Sequence, residues 1–149
     1  LRRQRQMCIE TGTIPDFYKI LEEKTKRLLG GWLDAAAEAG VAVQVHQSGS
    51  MFCLFFNDKP VLNYEDSCAC DGKKFKTWFL SMLEQGIYLA PSPFETLFMS
   101  YAHSEDDLDR TISAARIAMK EAAEENKTCH LKNNRFHELN VENPVYVSG

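Results

Sequence analysis

Three groups of residues in this chain have types and spacing that could do chemistry. The first is a single carboxylate, Glu95, set in the apolar run APSPFETLFMSYAH from Ala90 to His103. An unpaired carboxylate is costly to bury. Glu95 therefore either faces solvent from an edge strand, or is presented to a pocket or partner by the turn Pro91-Ser92-Pro93. Strand alternation puts it beside Leu97, Met99 and Tyr101, opposite Phe94, Thr96 and Phe98. Neither side is polar, so the residues leave both readings open.

The second group is made of thiols and imidazoles. Cys68 and Cys70 stand one residue apart, and Cys129, His130 and His137 cluster near the other end of the chain. Zinc sites pair their ligands at short spacing on both halves. A loop pair and a distant cluster lack that form and read as unrelated groups, so no metal site is expected. Five cysteines (Cys8, Cys53, Cys68, Cys70 and Cys129) cannot all pair, and Cys53 lies in an apolar run. That pattern suits a reducing cytosol better than a disulfide framework.

The third group would be a nucleophile or a phosphate cradle. A Cys–His or Ser–His pair needs a base held beside it, and no G-x-S-x-G elbow is present. Ser48-Gly49-Ser50 reads as a hairpin turn, and His103 as a hydrogen-bonding group near the strand end or helix entry. Gly30-Gly31 and Gly49 lack the strand-to-helix context of a phosphate loop.

The bulk properties narrow the field further. A chain of 149 residues makes one domain with a sizeable core. A net charge of −4 argues against nucleic acid, and Arg2, Arg3 and Arg5 form only a small basic cluster at one end. No apolar run approaches the roughly 20 residues of a membrane span. LRRQRQMCIE has no apolar signal-peptide segment. Its first residue is Leu rather than Met, as in a processed chain or a piece of a longer one.

These groups must be positioned by elements that the hydrophobic pattern predicts. A helix is expected from near Pro15, with Phe17, Leu21, Leu28, Trp32 and Ala36 on one face and Gly40 closing it. Gly30-Gly31 is a weak point inside it, where a helix could bend or break. Val41, Val43 and Val45 alternate with Ala42, Gln44 and His46 as a half-buried strand, and Met51 to Phe56 reads as a central one. Asn57 to Gly72 reads as irregular. Asp71 caps a helix with Phe75, Phe79, Met82 and Leu83 on one side, ended by Gln85-Gly86. Ile87 to Leu89 and Phe94 to Tyr101 are the remaining strands. Ser104 and Asp107 form a capping box for a helix with Leu108, Ile112, Ala115, Met119 and Ala122 inward. The fold class is therefore α+β, two-layered, with an antiparallel or mixed sheet of about four strands and helices on one face.

Four runs in register go beyond pattern: GSMF (Gly49 to Phe52), NYED (Asn63 to Asp66), GIYLAPSPFE (Gly86 to Glu95) and SYAHSEDDLDRTI (Ser100 to Ile112). They resemble the C-terminal small domain of the glutamate-1-semialdehyde 2,1-aminomutases. That family lies within the class III, fold-type-I aminotransferases, which use pyridoxal 5′-phosphate. The resemblance divides the chain into residues 1–16, a remnant of an inter-domain connection, 17–124, the small domain, and 125–149, a polar, poorly ordered or appended tail.

The resemblance also implies a function. The intact enzyme, an isomerase of the cytoplasm, makes 5-aminolevulinate from glutamate 1-semialdehyde in tetrapyrrole (porphyrin) biosynthesis. The family's catalytic lysine and cofactor-binding residues fall in a large domain outside the matched motifs. No catalytic or cofactor-binding residue is then expected here, no cofactor on this chain alone, and no activity without that partner domain. Glu95 matches a substrate-side glutamate thought to pair with an arginine from the N-terminal segment, and Ser92 and Phe94 match its flanks. Thr96 and Pro93 depart from the family's usual residues. The intact enzyme is expected to be a homodimer, without nucleic-acid or membrane partners. A related class III transaminase and a stand-alone binding or assembly module are the competing readings.

Overall fold

A computed structural model describes residues 14–124 and the backbone of the strand at 145–146. The chain opens with helix α1, Phe17–Ala39, followed by a hairpin of β1, Gln44–Ser48, and β2, Met51–Phe55. A short helix α2, Tyr64–Cys68, precedes α3, Gly72–Glu84. Two short strands follow, β3, Ile87–Tyr88, and β4, Leu97–Phe98, then helix α4, Glu105–Glu124, and β5, Val145–Tyr146.

Helix α1 begins and ends where its pattern places it. Gly40 adopts φ 67°, and its N–H and that of Val41 close onto the carbonyls of Ala37 and Ala36. Leu21, Leu28, Trp32 and Ala36 are buried as expected, and Thr25 completes their stripe by donating to the Leu21 carbonyl at 2.8 Å. The helix runs unbroken through Gly30-Gly31, the weak point of its pattern. Gly31 is instead the point of closest approach to α4. A Cβ there would sit 2.6 Å from Ile112 Cγ1, a contact real side chains essentially never make, whereas Gly30 faces open space.

The hairpin turns through Gly49 at φ 60°, as the first central residue of a tight hairpin turn requires. Its register pairs Gln44 with Phe55 and Ser48 with Met51, so β1 starts three residues later than the valine alternation suggests. Strand β2 is central, flanked by β1 and β4 in an antiparallel three-stranded sheet. Ile87–Tyr88 pairs in parallel with Val145–Tyr146 in a second sheet. The α+β expectation is borne out, with two small sheets in place of one of about four strands.

Three local readings change. The segment expected to be irregular carries α2, because Asn63 accepts from the Asp66 N–H at 2.9 Å and Asp66 accepts from the Leu62 N–H. The inward face of α3 is Phe75, Trp78, Ser81 and Met82, while Phe79 and Leu83 are half-buried. The strand expected over Phe94 to Tyr101 shrinks to Leu97–Phe98, since residues 91–95 are taken up by a turn. Asp71 and Ser104–Asp107 cap their helices as expected: Asp71 accepts from Lys73 and Lys74, and Ser104 and Asp107 bond reciprocally.

The helices cover one face of the sheet. Phe52, Leu54 and Leu97 join Trp32, Trp78, Met82 and Met119 in one core. Trp32 and Trp78 meet edge to face at 5.2 Å and 83°. Neither indole Nε1 has a hydrogen-bond acceptor. The face of a neighbouring ring is the weak acceptor such packing offers. On the other sheet face β1 presents Gln44, His46 and Ser48, while β2 presents Met51, Cys53 and Phe55.

Gly31→Ala is expected to destabilise the chain by about 1–3 kcal/mol through overpacking, with much of the loss recovered when Ile112→Ala is added. Gly30→Ala is expected to stabilise it by up to about 1 kcal/mol. Urea unfolding midpoints of these three variants, each set against the unsubstituted chain, check both signs.

The Ser104 backbone N–H and hydroxyl hold the Asp107 carboxyl below its usual pKa. A lowered folded-state pKa contributes stability above the ordinary carboxylate value of about 4 and loses it as pH falls through the folded value. Asp107→Asn should therefore cost stability at neutral pH, by about 0.3–1 kcal/mol, and shrink the difference from wild type in acid. Melting curves across that range check it.

Candidate functional site

The Pro91-Ser92-Pro93 segment leaves the core at Ala90, the last buried residue of Ile87-Tyr88-Leu89-Ala90. Proline fixes φ and removes a backbone donor, so the chain cannot continue into the sheet here. Ser92 organises the turn instead. Its Oγ accepts from the Phe94 N–H and its carbonyl from the Glu95 N–H, each at 3.3 Å. The turn delivers Glu95 to the rim of a shallow cleft floored by Leu54, Phe75, Trp78 and Leu97, with Ser92 as its other polar group.

Glu95 is exposed, and among the described residues its carboxylate has no hydrogen-bond or ion-pair partner. The two readings left by the sequence are thus combined. The carboxylate is in solvent, yet it stands over an apolar concavity. Phe94 is 57% exposed, with its ring 6.3 Å from that of Tyr64 on α2. An unpaired carboxylate on an apolar rim can receive an ammonium or guanidinium group. No nucleophile–base pair lies in this cleft, and it has no lysine or arginine among its lining residues. Pyridoxal phosphate needs an amine for its linkage and donors for its phosphate, so the cleft does not fit that cofactor.

The other candidates lie apart from it. Cys70 is half-buried between Asn57 Nδ2 at 3.7 Å and the Asp66 carbonyl at 3.4 Å, and burial pushes its thiol pKa up. Cys68 is exposed, and its hydrogen bond with Tyr64 raises that phenol's pKa. Among the described residues no three His, Cys, Asp or Glu side chains converge on one point. His103 sits between strand end and helix entry, its Nδ1 accepting from the Ser100 N–H at 3.2 Å. Cys8, Cys129, His130, His137 and the N-terminal arginines lie outside the described residues. No helix among those described is long and apolar enough to cross a membrane.

Reading the residues missed Trp78 as the floor of the cleft. The signal was there in its i+3 relation to Phe75, but Phe79 competes for the same face. It also missed α2, whose Asn63-x-x-Asp66 pattern is a helix-start signature in retrospect.

Comparison with solved structures defines the class of fold. The chain superposes on an omega-transaminase from Sphaerobacter thermophilus with a TM-score of 0.59 and 20% identity, covering 73% of this chain and 25% of that one. A transaminase with PLP bound gives a TM-score of 0.61 at 22% identity, covering 78% of this chain and 26% of that one. At these identities the likeness is one of fold: the α+β unit is a part of the transaminase fold.

Among curated proteins the likeness is closer. Over 102 residues, 68% of this chain, it is 47% identical to the glutamate-1-semialdehyde 2,1-aminomutase of Desulfosudis oleivorans. The resemblance carried by the four motifs is therefore real, and it is to the glutamate-1-semialdehyde 2,1-aminomutases. The chain spans 24% of that relative's length. No family model matches it.

Cys70 should alkylate more slowly than Cys68 below the usual thiol pKa of about 8.5. Peptide-mapped rates check this, and equal rates would show that burial does not hold the Cys70 thiol.

Proposed function

We propose that this chain is the small domain of a pyridoxal-phosphate aminomutase that converts glutamate 1-semialdehyde into 5-aminolevulinate. The observation that carries this reading is the 47% identity over 102 residues. It is supported by a fold found as a quarter of longer transaminase chains. When bound, the cofactor supplies the amino-transfer chemistry. Nothing in the Glu95 cleft can hold it, so it belongs to further polypeptide, a large domain that completes the enzyme. The small domain alone is then inactive, and the complete enzyme is a cytoplasmic homodimer serving tetrapyrrole synthesis.

Within that enzyme Glu95 does the small domain's share of the chemistry. Its exposed carboxylate pairs with an arginine of the N-terminal segment and helps to hold that cation at the substrate end of the site. Ser92 sets the turn that aims Glu95, and Phe94 shields one side. The same geometry serves a related class III transaminase, the reading favoured by the two structural neighbours. Substrate decides between them.

The test joins this chain to the remaining three-quarters of the Desulfosudis enzyme, in place of the matching quarter. The hybrid should form 5-aminolevulinate from glutamate 1-semialdehyde. Glu95→Gln should lower kcat/KM by about 10- to 100-fold through lost positioning, with the unfolding midpoint unchanged. A hybrid that binds cofactor but transfers amino groups only between other substrates favours the transaminase. Stoichiometric, lysine-linked cofactor on the isolated chain would overturn the reading of an incomplete enzyme.

A further inference from the structure

The excursion between β2 and α3 is pinned at its two ends and loose between them. Its neck is the 2.9 Å bond from the Asp71 N–H to the Phe56 carbonyl. Beside that bond Asn57 Nδ2 donates to Cys70 Sγ at 3.7 Å, and the Cys70 thiol donates to the Asp66 carbonyl at 3.4 Å. Of residues 57–70 only Val61 is buried, and α2 buries none of its five. A short helix with so few apolar contacts opens at little cost. Two cysteines stand at its far end: Cys68, exposed, is its last residue, and Cys70, half-buried, lies just past it.

Ala69, the one residue between them, has φ −81° and ψ −3°, so the chain is still turning as in a helix. Helix geometry puts Cα atoms two residues apart at about 5.4 Å, inside the roughly 4.4–6.8 Å that a disulfide spans. The obstacle is direction, because side chains two apart on a helix do not face each other. A bridge therefore closes only when the last turn opens. That turn is held by the N–H groups of Ala69 and Cys70, bonded to the Glu65 and Ser67 carbonyls at 3.1 and 3.2 Å, and by the two weak contacts of the Cys70 sulfur. The thiols also sense each other: burial, and after it the charges of Asp66 and Cys68, push the Cys70 thiol up.

We propose that Cys68 and Cys70 are a redox site, a pair that closes a reversible disulfide and releases the end of α2. The oxidant is a hydroperoxide, and Cys68, the exposed thiol, meets it first. Its sulfur bonds to one oxygen of hydrogen peroxide as the O–O bond breaks. The other oxygen takes the thiol proton and leaves as water, and Cys68 becomes a sulfenic acid. The Cys70 sulfur then attacks Cys68 Sγ, the S–O bond breaks, and the departing hydroxide takes the Cys70 proton to leave as a second water. Both thiols are oxidised, and the peroxide is reduced. A bridge that needs an opened turn is strained and readily reduced again, as a reversible site requires. Closing it takes from Tyr64 its hydrogen bond with Cys68, and the Tyr64 ring lies 6.3 Å from that of Phe94, the neighbour of Glu95. The thiol pair thus adjoins the candidate site.

Differential alkylation of the 149-residue chain, read by mass-spectrometric fragment mapping, tests this. After hydrogen peroxide, Cys68 and Cys70 should both label at least about tenfold more slowly, since a bridged sulfur offers no thiolate. A dithiol reductant should restore both. The mapped product should be Cys68 bridged to Cys70, lighter by two hydrogens. Cys70→Ser should stop the reaction at a sulfenic acid on Cys68, captured by dimedone, and Cys68→Ser should leave Cys70 a thiol. Replacing Cys8, Cys53 and Cys129 together by Ser should leave the bridge intact. Amide hydrogen exchange at Ala69 and Cys70 should quicken in the bridged form, with that of α3 unchanged. Cys68 or Cys70 bridged to Cys8, Cys53 or Cys129 instead overturns the proposal. Cys68 oxidised past the sulfenic state with Cys70 still a thiol also overturns it. A bridge formed with unchanged exchange at Ala69 and Cys70 overturns the release of α2. None of these readouts needs cofactor or 5-aminolevulinate, so they stand or fall apart from the proposed function.

Discussion

The edge-to-face contact of Trp32 with Trp78 is the interaction on which the rest of this domain depends. Trp32 belongs to α1 and Trp78 to α3, and between them they touch Phe52, Phe56 and Phe75. Both indoles are essentially without solvent exposure. Three elements distant in sequence are thereby fixed at one point, and truncating a buried aromatic of this kind costs about 3–5 kcal/mol. Trp78 is also the floor of the cleft beneath Glu95. The core contact and the candidate site therefore share a side chain.

Around that point the helical layer closes by removing bulk. Gly31 lets α1 lie against Ile112 of α4 at a distance no Cβ would allow. Ala114, Ala115, Ala118 and Ala122 give α4 a slim buried face. Lys24 ties the start of this layer to the loop before α4 by donating to the Tyr101 and His103 carbonyls, and Arg27 pairs with Glu105 and Asp109. Such exposed pairs contribute little individually; their value is in register. The consequence is one-sided: all three long helices serve the same sheet face, and among the described residues no helix covers the opposite one.

That asymmetry also frames the candidate site. Glu95 is carried out of the core by two prolines and a serine turn, and stands at the rim of the apolar cleft. A carboxylate placed there costs no desolvation in the isolated domain. Under the proposed function it becomes an anchor for a cation when the large domain is present. On the proposed function, the small domain supplies a rigid frame and one charge, and the cofactor chemistry belongs to the large domain.

Much of this was legible in the chain itself. Local signals suffice for helix ends and turns, because caps and tight turns are settled by residues within a few positions: Gly40, Asp71, the Ser104–Asp107 box and Gly49 all act where their types predict. The four motifs identified the family for the same reason, being local strings. What the sequence could not decide were choices between equally apolar faces. Phe79 and Trp78 were both fit to face inward from α3, and packing against Trp32 selected Trp78. Gly31 read as a weakness until Ile112, some eighty residues away, made it a necessity. Glu95 could have ended in an edge strand, but of its segment only Leu97–Phe98 pairs with β2, and the turn before it left the carboxylate free. These are long-range outcomes of volume and pairing, which only the folded chain can settle.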